Sequence, residues 1–149
     1  MAIWQFEYMI IPKGRRVEEC LEDEIISWKG IEIPDNAIKK ISELLPQEKS
    51  WSKDIEQYGS IEGTCIKFLY EDNSIVEINC RLDLRNLSKV ILTEIIAFVD
   101  TIKGDILYQH SIYELKLDII LELMRNSEQA KFCSNPKEYL ETINNTLEH

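Results

Sequence analysis

Two strand-like runs, Cys65 to Tyr70 and Ile75 to Leu84, meet at Glu71-Asp72-Asn73-Ser74. Turn chemistry between two such runs predicts a β-hairpin. The second run constrains the chain most. Val76, Ile78, Cys80, Leu82 and Leu84 share one face, while Glu77, Asn79, Arg81, Asp83 and Arg85 share the other. A strand patterned in this way belongs to an antiparallel sheet with one covered side, so the rest of the chain must supply the cover.

The remaining pattern supplies more strands and that cover. Trp4, Phe6, Tyr8 and Ile10 alternate with Gln5, Glu7 and Met9, a strand closed by Pro12-Lys13-Gly14. Val17, Cys20, Leu21, Ile25 and Trp28 have the spacing of one helix face, with Glu18, Glu19, Glu22 and Asp23 opposite. Pro34-Asp35-Asn36 predicts a helix start capped by Asp35 or Asn36, continued by Ile38, Ile41 and Leu45 and ended by Pro46. From Gln47 to Gly63 the period is lost. Asn86 or Ser88 then caps a helix carrying Val90, Ile91, Ile95, Phe98, Val99 and Ile102, stopped by Gly104. A short strand from Asp105 to His110, a helix from Ser111 to Asn126 and a last helix after Asn135-Pro136 complete the expectation.

This order predicts a single α+β domain over residues 1–146. The expected architecture is an antiparallel sheet of about four strands in ferredoxin-like βαββαβ order, with helices on one face and extra C-terminal helices. Leu147-Glu148-His149 reads as the stub of an expression tag, which leaves His110 as the sole native histidine. The helix around Leu115, Ile119, Ile120 and Leu123 is also apolar at Leu117, Leu121 and Met124, wider than one face. Later helices carrying Tyr139, Leu140 and Ile143 are expected to cover it, the alternative being a homodimer contact.

A net charge of −10 repels phosphate backbones, so neither nucleic acid nor an anionic membrane is an expected partner. Cys20, Cys65, Cys80 and Cys133 lie far apart, as free thiols of a reducing cytoplasm would, and no signal-like apolar block opens the chain. Phosphate-loop, dinucleotide and paired-cysteine motifs are absent, and no cofactor or metal is expected. His110 reads as a rim histidine rather than a catalytic base.

Three features remain as candidate binding residues. Glu18, Glu19, Glu22 and Asp23 form a solvated helix face or an acidic docking patch. Arg81, Asp83 and Arg85 form either a cross-strand ion-pair ladder, the expected role, or a fork for a carboxylate or phosphate oriented by Asp83. Trp51, beside Asp54 in an aperiodic loop, is expected to pin that loop to the core, the alternative being an interface anchor. Trp4 and Trp28 read as core.

Several blocks carry a resemblance. Ile3-Trp4-Gln5-Phe6-Glu7, Ser50-Trp51-Ser52 with Tyr58-Gly59, Arg81-Leu82-Asp83-Leu84-Arg85, and Asn126-Ser127 before Phe132 and Pro136 resemble a family of small uncharacterised bacterial proteins. In size, acidity and lack of a catalytic motif the chain is also similar to immunity proteins of bacterial toxin systems. The likeness implies a non-enzymatic protein that covers a basic toxin, steered by acidic charge. The alternatives are a domain binding a small anion through Arg81 and Arg85, or an enzyme whose pocket joins Trp51 and Asp54 to that strand.

Overall fold

The computed structural model describes residues 2–132. They form one antiparallel seven-stranded sheet rather than the expected four-stranded, ferredoxin-like one, and the α+β class stands. In chain order the strands are β1 (Gln5–Pro12), β2 (Gln47–Glu48), β3 (Ile55–Gly59), β4 (Cys65–Glu71), β5 (Ser74–Asp83), β6 (Gly104–Tyr108) and β7 (Ser111–Tyr113). Their order across the sheet is β2-β3-β4-β5-β1-β6-β7. The helices are α1 (Glu22–Ile26), α2 (Asp35–Leu44), α3 (Lys89–Thr101), α4 (Leu117–Arg125) and α5 (Glu128–Phe132).

The hairpin signal is realised closely. Asp72 and Asn73 both take positive φ, 52° and 65°, the left-handed pair of a two-residue turn. Register then sets Phe68 opposite Ile78 and Ile66 opposite Cys80, while β1 adds Tyr8 opposite Cys80 and Phe6 opposite Leu82. These side chains form the helix-covered face, with Phe98 of α3 edge-on to Phe68 at 5.9 Å. Helices α2 and α3 pack on one another, Ala37 and Ile41 joining Leu92, Ile95 and Val99 in the same core. Ser88 caps α3 as expected, its Oγ accepting from the Ile91 amide at 3.2 Å.

Four expectations fail. The helix across Val17 to Trp28 shrinks to α1, because Glu18, Glu19, Glu22, Asp23 and Glu24 would repel along it. Val17 and Leu21 stay exposed, and Leu21 supplies no side-chain cap. Trp28 enters the core in extended chain instead. Its amide donates to the Val76 carbonyl at 2.9 Å, and its indole donates to the Ile10 carbonyl at 2.7 Å. For α2, the N-cap is Pro34, so neither Asp35 nor Asn36 caps it. The segment 47–63 holds β2 and β3, and 111–113 forms β7 by turning at Gln109 and His110, both at positive φ. That turn takes the first residues of the expected Ser111–Asn126 helix into the sheet.

Gly59 closes β3 where a side chain could not. Its φ is +89°, and an added Cβ would collide with the Thr64 carbonyl. Cys65 and Cys80 are buried on opposite faces of the sheet, and Cys20 is also a free thiol. Burial pushes the Cys80 thiol up to about 12, so it stays protonated at neutral pH. Cys133, the helix expected after Pro136 and its cover over α4, and residues 147–149 lie outside the described residues. No helix among the described residues is long and apolar enough to cross a membrane.

Candidate functional site

The second face of the sheet carries the chemistry. Residues alternate on adjacent strands, so register brings Ile55, Leu69 and Glu77 into one row, Gln57, Lys67, Asn79 and Met9 into the next, and Cys65, Arg81 and Glu7 into a third. Helix α1 packs on β1 and β5, burying Ile25, and closes one end of this face. The other end is closed by the loop at 60–64. Gln5 Nε2 donates to the Ile61 and Gly63 carbonyls at 2.9 and 2.7 Å, and the Asp83 amide donates to Thr64 Oγ1 at 3.0 Å.

Between these closures lies a hollow of about 310 Å³. Ile55, Leu69 and Asn79 line it together with Lys67, Glu77 and Arg81, and Trp51 stands at its side. Trp51 is 80% exposed, so it does not pin the loop to the core as expected. The loop is ordered instead by its own backbone and by Ser50. The Tyr70 amide donates to the Asp54 carbonyl at 2.7 Å, and Ser50 Oγ donates to the Ile55 carbonyl at 2.6 Å.

One arginine makes a cross-strand ion pair and the other pairs within its own strand end. Arg81 Nε donates to Glu7 Oε2 at 2.8 Å across the β1–β5 pair, with the Arg81 side chain 18% exposed. Arg85 is held elsewhere. Its Nε and Nη2 donate to Asp83 Oδ1 and Oδ2 at 3.1 and 3.2 Å, and its guanidinium carbon lies 3.7 Å from the Trp4 ring centroid. Trp4 is therefore a half-buried shelf for Arg85, not a core residue, and its indole donates to the Glu62 carbonyl at 2.7 Å. Each guanidinium already has a carboxylate partner.

The structure thus joins Trp51 and Arg81 in one hollow, and separates Asp83, Arg85 and the exposed Asp54 from it. Glu18 and Glu19 lie exposed in the turn before α1, Glu19 paired with Arg16 at 3.4 Å, and Asp23 is exposed on α1. Glu22 is the first residue of α1. Asp23 links the acidic run to the hollow. Burial first, then the charges of Asp23 and Glu7, push the Glu77 carboxyl above its ordinary value. Glu77 pairs with no cation among the described residues.

Ile55, Lys67, Leu69, Glu77 and Asn79 line the hollow and are residues that sequence reasoning did not single out. Counting back from the two-residue Asp72-Asn73 turn would pair Leu69 with Val76 and Lys67 with Ile78; a register shift between Leu69 and Tyr70 sets Leu69 opposite Glu77 and Lys67 opposite Asn79 instead, and no sequence signal marks it. No group of His, Cys, Asp and Glu suited to hold a metal gathers among the described residues. Comparison with protein-family models, with curated proteins and with solved structures returns no significant match to the chain.

Proposed function

We propose that the chain is a non-enzymatic binding protein that engages a basic protein partner on the open face of its sheet. The observation that carries this reading is Trp51, 80% exposed beside a hollow lined by Glu77, whose carboxyl feels the charge of Asp23 on α1. Tryptophan is among the residue types most enriched at interface hot spots. The net charge of −10 supplies long-range attraction toward a basic surface. Neutralisation of a basic toxin, as by an immunity-type protein, is the specific form this reading takes.

Affinity capture from the native host tests it. The immobilised chain should retain a basic protein that is released by salt, and Glu18→Lys with Glu19→Lys and Asp23→Lys should abolish that retention. Retention of an acidic protein, or of a basic one indifferent to the triple substitution, would overturn the reading.

A further inference from the structure

We propose that the hollow beside Trp51 is a receptor for a single lysine or arginine side chain, whose aliphatic stem lies over Ile55 and Leu69 and whose charged head meets Glu77. The inference rests on the reading of a basic partner and names what that partner inserts. The geometry follows from one row of the sheet. Ile55, Leu69 and Glu77 stand side by side on β3, β4 and β5, two apolar residues and then a carboxylate. Strands lie about 4.8 Å apart, so the row runs about 10 Å from Ile55 to Glu77, a span that suits an extended basic side chain. Such a side chain has the same order of chemistry, an apolar stem and then a charge.

Lys67 and Arg81 also line the hollow, so the case for a cation rests on the charges around Glu77 itself. Glu77 has no cation paired with it among the described residues, and Asp23 of α1 stands near enough to act on its carboxyl. Arg81 is committed to Glu7 at 2.8 Å. Lys67, in the neighbouring row opposite Asn79, carries its ammonium on a flexible stem that can turn toward solvent. Asn79, which also lines the hollow, has a buried Oδ1 without a hydrogen-bond partner among the described residues. Trp51 closes the side with an exposed ring, a surface on which a cation or its stem can rest.

Amide-resolved NMR titration of the whole chain with N-acetyl-arginine amide tests this. The Trp51 indole and the Leu69 and Glu77 amides should shift together, with a dissociation constant in the millimolar range. N-acetyl-norleucine amide, which keeps a stem without the charge, should leave them in place. Glu77→Gln should weaken the arginine probe about tenfold, and Trp51→Ala several-fold. Tighter binding of N-acetyl-glutamate amide at the same residues would overturn the inference and favour an anion. Shifts confined to Glu18, Glu19 and Asp23, unchanged by Glu77→Gln, would also overturn it while leaving the basic-partner reading standing.

Discussion

The two faces of the sheet are built from the same strands by opposite rules. On the covered face, Phe6, Tyr8, Ile66, Phe68, Ile78 and Cys80 pack against α2 and α3 with no charged group among them. On the open face the same strands present Glu7, Lys67, Glu77, Asn79 and Arg81, closed among the described residues at the ends by α1 and the 60–64 loop. Phe68 and Leu69 are chain neighbours, yet one is wholly buried and the other half-exposed. The difference assigns most of the stability to the covered face.

Neighbouring substitutions on β4 should expose that division most strongly. Phe68→Ala should cost about 3–5 kcal/mol of unfolding free energy in urea titration, for the lost burial and the cavity left beside Phe98 and Tyr58. Leu69→Ala should cost only about 1 kcal/mol, because much of its surface is already wet. Equal losses would break the comparison. Glu7→Gln weakens the pair with Arg81 while keeping an acceptor in place, and should cost about 1 kcal/mol, less in high salt.

Glu77→Gln should move stability the other way. Its carboxyl is held above the ordinary value, so ionisation penalises the folded state more than the unfolded one. The variant should be slightly more stable than the wild type at neutral pH. That gain should shrink as pH falls through the raised folded value and vanish below the unfolded one. Melting curves across that range check the sign. Trp51→Ala should change stability least, by no more than about 0.5 kcal/mol, since its ring contributes little to the core.

The covered face was legible in the sequence because its signal is strict. Each of β1, β4 and β5 alternates with apolar residues on the inward side, and the Ser88 cap and Asp72-Asn73 turn use residues chosen for those backbone angles. The edge strands were not legible. In Ile55-Glu56-Gln57-Tyr58-Gly59 each face mixes polar with apolar residues, and Gln57 is buried only because its Nε2 donates to the Gly59 carbonyl at 3.0 Å. β7 is three residues long, too short to show a period, and the apolar run behind it suggested a longer helix. The open face was half-read. Arg81 and Asp83 were placed on it correctly, but the assignment of Arg85 depends on Trp4 and Asp83 lying together at the strand end. Only tertiary structure shows that contact, and only tertiary structure shows that Trp51 faces water.

If the open face is the binding face, affinity and stability must separate at Trp51. The most direct test is the dissociation constant of Trp51→Ala for the captured basic partner, measured beside its unfolding free energy. The account predicts a loss of about 2 kcal/mol in binding, roughly 30-fold, with stability unchanged. Binding as tight as that of the wild type would contradict it.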